Sequence, residues 1–218
     1  MNTHETTLKK LGVTKGIIYE AIATTYNKHQ IPNAAPMGFT YNGEDIVLRL
    51  FKNTQTYSNI LETRLCTLNL CNDGTLFFYA ALKEIDGENI ILEKRGGWFH
   101  LKGAGACIDL EAREINKIDV ERDLVICEIK KVTVYEQYMG RIAFTRADSA
   151  LLESTIHATR IPVFLEKNDM ENVKHLIDMI FHYRNVINRV APKTRYEECM
   201  NKLLRYVDDL LGNKALQG

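Results

Sequence analysis

With 218 residues, 45% of them hydrophobic and 26% charged, the chain has material for one large domain, or for a domain and a substantial appendage, around a real core. Lys plus Arg and Asp plus Glu both number 28 and give a formal net charge of zero, which excludes a protein whose main work is gripping a nucleic-acid backbone and leaves room for a local basic pocket that takes a small anion. No apolar run approaches the roughly 18 to 20 residues that cross a bilayer, and the polar start from Met1 to Gly12 lacks the apolar core of a secretory signal, so a cytoplasmic protein that binds neither membrane nor nucleic acid is expected.

The first predicted strand covers residues 17–25, rich in β-branched and small residues. Residues 27–35 carry turn formers and Pro32, and residues 36–41 lead into Asn42-Gly43, a two-residue hairpin signal, with residues 46–51 as the returning strand. A short helix is predicted over residues 56–63, where Tyr57, Ile60 and Leu61 share a face. Further strands are predicted at residues 64–69, 75–81, 90–93, 98–101, 107–115 and 124–136. Many short strands joined by turns, without β-α-β alternation, point to a closed antiparallel barrel rather than a doubly wound sheet.

After about residue 145 the apolar period becomes helical. Helices are predicted over residues 147–160, ended by Pro162; over 169–190, capped by Asn168 or Asp169 and followed by Pro192; and over 194–211, stopped by Gly212. The expected organisation is a barrel over residues 1–145 and a helical extension over 146–218. The apolar stripes of its last two helices (Val173, Leu176, Ile177, Ile180, Ile187 and Val190; Tyr196, Met200, Leu203, Leu204, Val207 and Leu211) need the barrel or a second subunit to cover them.

The five cysteines form no C-x-x-C pair and the six histidines are scattered, so free, mostly buried thiols in a reducing compartment are expected and no metal site. His175 and His182, seven apart on one helix, lack a third ligand nearby.

The stretch from Ala23 to Asn69 carries the chemistry. Lys52, Thr54 and Thr56 lie where a strand ends and a helix begins, and a cation, two hydroxyls and the free amides of a helix N-terminus together make a phosphate site. Arg49, three residues earlier on an alternating strand, need not share the direction of Lys52. The small Ala34 and Ala35 let a flat ring approach the backbone, where amides can bond ring carbonyls and nitrogens. Each residue also has a plain reading: Thr54 or Thr56 as a helix cap, Lys52 as a solvated charge, residues 33–38 as a loop. Their combination in this order favours the site.

Thr24-Thr25, Asn33-Ala34-Ala35-Pro36, the run from Lys52 to Asn59-Ile60, and Leu68-Asn69 together resemble the FMN-binding split-barrel superfamily, above all its flavin-reductase-like branch. In that branch an Asn-rich, Pro-containing turn and a strand precede a basic residue and a Thr-x-x-Asn-Ile-like helix start, to which Thr56-Tyr57-Ser58-Asn59-Ile60 is similar. The whole chain, including Phe144-Thr145-Arg146 and Ile156-His157-Ala158-Thr159-Arg160, resembles a largely archaeal family of unassigned function within that superfamily. The resemblance implies a split β-barrel that binds FMN, with Lys52, Thr54 and Thr56 on the phosphate, Asn33, Ala34, Ala35, Pro36 and Met37 along the isoalloxazine and ribityl chain, and Arg49 and Asn53 at the same site. It further implies a homodimer with the flavin near the subunit interface.

The function so implied is a flavin-dependent oxidoreductase. A non-catalytic electron carrier or flavin-storage protein is the alternative function, and a deazaflavin the alternative cofactor. The helical extension departs from the better-known reductases, so electron donor and substrate do not carry over. Arg146, His157 and Arg160 are the polar residues of the second half that could line the flavin or take an acidic substrate; the plain reading is helix-end charges near exposed carbonyls.

Overall fold

In the computed structural model, which describes residues 3–82, 90–135 and 143–215, the chain divides between Phe144 and Thr145 into two units. The first contains, in chain order, α1 (Thr3–Lys10), β1 (Ile18–Tyr26), β2 (Pro32–Tyr41), β3 (Ile46–Phe51), α2 (Gln55–Thr63), β4 (Leu65–Leu70), α3 (Gly74–Leu82), β5 (Leu92–Arg95), β6 (Trp98–Leu101), β7 (Ala106–Lys117) and β8 (Arg122–Val134). Six of these strands close an antiparallel barrel in the order β1-β2-β3-β8-β7-β4, and β5 and β6 form a separate hairpin. This is the barrel that the spacing of short strands and turns predicts.

Two of its pairings are partial. The seam between β1 and β4 is short, Ile22–Thr24 against Thr67–Asn69, and it is reinforced by a side chain. The buried Asn69 amide donates to the Ile22 carbonyl at 2.8 Å and to the Thr24 hydroxyl at 3.0 Å, while its oxygen accepts from the Leu101 amide at 2.7 Å. Between β2 and β3 the pairing holds only from Phe39↔Leu48 to Tyr41↔Ile46. Beyond it β2 stays with β1, and β3 follows β8.

The core follows strand alternation. Tyr19, Phe39, Leu48, Leu50, Ile60 and Leu68 are fully buried, each such aliphatic side chain worth roughly 1.5–3 kcal/mol. A second cluster joins Ile22 and Ala34 to Cys71, Ala80, Ile90, Leu101, Ala104 and Cys107.

Several elements differ from the sequence pattern. Residues 33–38 are strand rather than loop, because β1 pairs with β2 along its whole length. Asn42-Gly43 sits in a four-residue loop between Tyr41 and Ile46, not a two-residue hairpin. The Asn42 side chain accepts the amides of Glu44 and Asp45 and so lengthens the turn. The two-residue turn falls instead at Gly96-Gly97, where Gly96 has φ +62. Residues 75–81, predicted as strand from their aromatic content, lie in α3, whose Leu76, Phe77 and Tyr79 pack on the second cluster; tertiary burial overrides β propensity there. The polar start of the chain, where no element is predicted, forms α1, beside which Leu8, Leu11 and Val13 are buried. The predicted end of the last strand, Glu136, lies outside the described residues.

The second unit contains α4 (Arg146–Glu166), α5 (Met170–Val190) and α6 (Arg195–Ala215), with α4 packed along both of the others. Thr145 caps α4 and Asp169 caps α5. Pro162 does not end α4: Ile161 and Leu165 continue the buried row of Ala150, Ser154 and Ala158, and that burial holds the last turn despite the missing amide. Nor does Gly212 stop α6, which continues to Ala215. The predicted apolar stripes are the buried faces, with Val173, Leu176, Ile180, Ile187 and Val190 in α5 and Tyr196, Met200 and Val207 in α6. The Tyr196 hydroxyl donates to Asp148 at 2.7 Å and ties α6 to α4. No described helix is long and apolar enough to cross a membrane.

Arg64 closes α2 at φ +62, a left-handed conformation that favours glycine, while its amide bonds the Ile60 carbonyl and its side chain is exposed. Arg64→Gly should therefore raise stability by about 0.5–1 kcal/mol, and Arg64→Val should lower it. Urea midpoints at unchanged slope measure both.

Candidate functional site

Where β2 and β3 part, the N-terminal end of α2 borders a cavity of about 400 Å³ lined by residues 35–38, 49–51 and 54–56. Each side of it is placed by local chemistry. Thr54 starts α2: its hydroxyl accepts from the Tyr57 amide at 3.3 Å and donates to the Phe51 carbonyl at 2.7 Å, fixing the turn out of β3. The amides of Gln55 and Thr56 follow in the first turn, where a helix supplies no partner and presents positive potential.

Buried amide and hydroxyl groups hold this helix on the sheet. Asn33 Nδ2 donates to the Thr56 hydroxyl at 3.1 Å and Asn59 Nδ2 donates to the Thr25 hydroxyl at 3.0 Å, while within the helix the exposed Gln55 Nε2 donates to Asn59 Oδ1 at 2.6 Å. With both partners present, such a network rigidifies the site rather than costing stability.

Alternation along β3 buries Leu48 and Leu50 and leaves Arg49 exposed beside the cavity. Among the described residues, no carboxylate pairs with its guanidinium. Lys52 goes elsewhere. Its ammonium lies 3.1 Å from Asp123 Oδ1 and donates to the Asp119 carbonyl at 3.3 Å, while the Tyr57 hydroxyl donates to Asp123 Oδ2 at 2.6 Å. The Tyr57 hydrogen bond, helped by Lys52 and opposed by burial, holds the Asp123 carboxyl below its usual range, and the same bond pushes the Tyr57 phenol up.

Of the residues singled out from sequence, Ala35, Pro36, Met37, Arg49, Thr54 and Thr56 thus meet at one cavity. Asn33 stands behind Thr56, and Ala34 faces the other way, into the cluster with Ile22 and Cys71. Lys52 anchors the loop to β8, and Asn53 is exposed outside the lining. Gly38, Leu50, Phe51 and Gln55 join the lining without having been singled out. All four neighbour residues that were, so continuing β2 through Gly38 and β3 through Phe51 is the signal that finds three of them.

In the second unit His157 stacks on Tyr183 with ring centroids 5.9 Å apart, and Arg146 and Arg160 are exposed. Cys66, Cys71, Cys107 and Cys127 are buried and free. Burial pushes Cys71 up to about 11 and Cys107 and Cys127 to about 12, which makes them packing groups rather than nucleophiles. Among the described residues, no three His, Cys, Asp or Glu side chains stand together to hold a metal ion.

A family model described as "Protein of unknown function (DUF447) N-terminal domain" matches residues 19–136, and a second, described as "Protein of unknown function (DUF447)", matches residues 145–205. Among solved structures, the chain is similar to an FMN-bound protein of the same family model from Methanosarcina mazei, at 24% identity and a TM-score of 0.54, over 91% of this chain and 99% of that one. It is also similar to 2-nitrobenzoate 2-nitroreductase of Pseudomonas fluorescens, at 19% identity and a TM-score of 0.50, over 63% of this chain and 74% of that one. A protein with a split barrel domain from Shewanella frigidimarina matches at 16% identity and a TM-score of 0.50, over 62% of this chain and 76% of that one. These likenesses identify the barrel as a split barrel.

The Asp123 group offers a test of the site's frame. A carboxyl held low by the folded state stabilises fully above its unfolded value of about 4, and that contribution is lost as the pH falls through the folded value. Tyr57→Phe should cost stability at neutral pH and progressively less below about pH 4. Urea midpoints of both proteins across the acid range measure this; a constant difference would show that Tyr57 does not hold Asp123 ionised.

Proposed function

Because the chain belongs to the DUF447 family, of which a relative is solved with FMN bound, we propose that it is a flavoprotein that holds FMN in the cavity between β2, β3 and α2 and uses it in oxidoreduction. The observation that carries this reading is the opening between β2 and β3. There, strand backbone beyond the Phe39↔Leu48 pair, an exposed guanidinium and a helix N-terminus border one cavity.

The residues fit the group. A volume of about 400 Å³ lies within the roughly 300–1,000 Å³ of small-molecule sites. Arg49, the Thr56 hydroxyl, which accepts from Asn33 and keeps its own proton to donate, and the first amides of α2 would hold the phosphate, a dianion suited to a cation and a helix start. Ala35, Pro36, Met37 and Leu50 would flank the flat ring, with β2 backbone groups supplying hydrogen bonds to its polar edge. FMN, when bound, supplies the hydride or electron transfer, and the protein supplies binding, orientation and electrostatic tuning. Lys52 acts in this reading through the frame, by fixing the loop that presents Thr54. A homodimer and a small-molecule electron donor or acceptor complete the reading.

Affinities for FMN and riboflavin, measured by flavin fluorescence quenching, test it. FMN should bind more tightly, and Arg49→Ala should weaken FMN by about one to two decades while changing riboflavin little, the usual range for hydrogen bonds to charged groups. Equal affinity of the native protein for the two flavins would remove the phosphate assignment. Steady-state oxidation of NADH or NADPH by the flavin-loaded protein tests the oxidoreductase role, and its absence would favour an electron carrier.

A further inference from the structure

Adjacent threonines of β1 serve opposite faces of the barrel wall. Thr25 accepts from Asn59 of α2, whereas Thr24 donates to the Phe99 carbonyl of β6 and accepts from Asn69. The β6 face, away from the cavity at α2, holds a second set of buried polar groups that the flavin reading does not use. Asp109 Oδ1 accepts from the Thr67 hydroxyl at 3.0 Å and lies 2.8 Å from His100 Nε2, and His100 Nδ1 lies 3.2 Å from the Tyr135 hydroxyl. His100 and Asp109 are each only 3% exposed. With the carboxylate accepting at Nε2, the imidazole proton sits on that nitrogen, and Nδ1 is left to accept from Tyr135.

This chain of groups ends at a cavity of about 230 Å³. Leu101 and Ala104 give it an apolar wall, and the turn between β6 and β7, made at Lys102 and Gly103 with φ +91 at the glycine, bounds it. The charges around it are unequal. Arg95 pairs with Glu93 at 2.7 Å and lies 5.7 Å from the Tyr135 ring centroid, so one cation is matched by one carboxylate. Lys102 adds a further positive charge at the cavity. Cys107 adds none, since burial pushes its thiol up to about 12. A buried carboxylate–imidazole pair is weak support for stability by itself, and this one is wired to a hydroxyl beside a cationic cavity.

We propose that Asp109, His100 and Tyr135 form a proton relay, and that the cavity beside them binds a small molecule bearing an acidic hydroxyl on an unsaturated carbon, a phenol or enol, as its anion. On binding, the ligand O–H bond breaks and its proton passes to the Tyr135 oxygen as the Tyr135 proton passes to His100 Nδ1. The imidazolium then faces Asp109, and the ligand anion faces Lys102 and Arg95. No proton leaves for solvent and no redox partner is needed. Carboxylic acids arrive already ionised and aliphatic alcohols are too weakly acidic, so phenols and enols are the class whose ionisation this relay can shift. The volume and the apolar wall suit a single substituted ring.

The probe is 4-nitrophenol, which absorbs visible light only as the phenolate. In mildly acidic buffer, adding the native protein should raise the phenolate band saturably in difference spectra. Tyr135→Phe, which keeps the ring beside Arg95, and Lys102→Met, at an exposed position, should each weaken the effect roughly tenfold or more, with fold by circular dichroism and flavin content unchanged. No band at millimolar probe, binding of the neutral phenol without the band, or an undiminished band in Tyr135→Phe would each overturn the relay.

Discussion

The parting of β2 from β3 is the feature on which the site depends. β2 is committed to β1 from Tyr26↔Pro32 to Ile18↔Thr40, and β3 is committed to β8 from Ile46↔Cys127 to Phe51↔Arg122. Each strand keeps its other neighbour along its length, but the two share only the pairs from Phe39↔Leu48 to Tyr41↔Ile46, and the barrel opens between them beyond that. Backbone polar groups at such an opening need partners from water, side chains or a ligand. The chain supplies α2, capped by Thr54 and held by Asn33 and Asn59, and leaves the rest of the opening as a cavity. The residues that line it thus sit on paired strands and a capped helix, which hold geometry better than a free loop does.

The other short seam, between β1 and β4, carries three residue pairs. Asn69 reinforces it by joining β1, β6 and β7 through one fully buried amide: the Cys107 thiol also donates to its oxygen, at 3.3 Å. A buried amide with its donors and acceptors satisfied favours one register over its neighbours, because a slip by one residue would strand it. That register also sets Thr24 and Thr25 facing apart, one toward Asn69 and the Phe99 carbonyl of β6 and the other toward α2. One strand thereby serves two polar networks that do not share a face.

Much of this was legible in the sequence. Period-two runs and turn residues give the barrel strands, and the period near 3.6 gives the buried faces of α5 and α6. What was not legible depends on partners far away in the chain. Nothing near Lys52 announces that Asp123 will claim it, whereas Arg49, which the resemblance also puts at the site, is the cation beside the cavity. Ala34 and Ala35 look equivalent until β2 is known to be a strand, which turns one into the core and the other to the cavity. The apolar run of α3 reads as strand because its aromatic residues suit either element, and packing on Ile22 and Leu101 decides. The Asp109–His100–Tyr135 chain was invisible for the same reason: its residues come from β7, from β6 and from just past the end of β8.

The central claim, that FMN occupies the opening between β2 and β3, is tested most directly by the purified protein itself. After loading with FMN and removal of the excess, the absorption spectrum should show a bound flavin equimolar with the chain, and mass measurement of the molecule released by denaturation should identify FMN. A folded protein that stays colourless and takes up no FMN would contradict the claim.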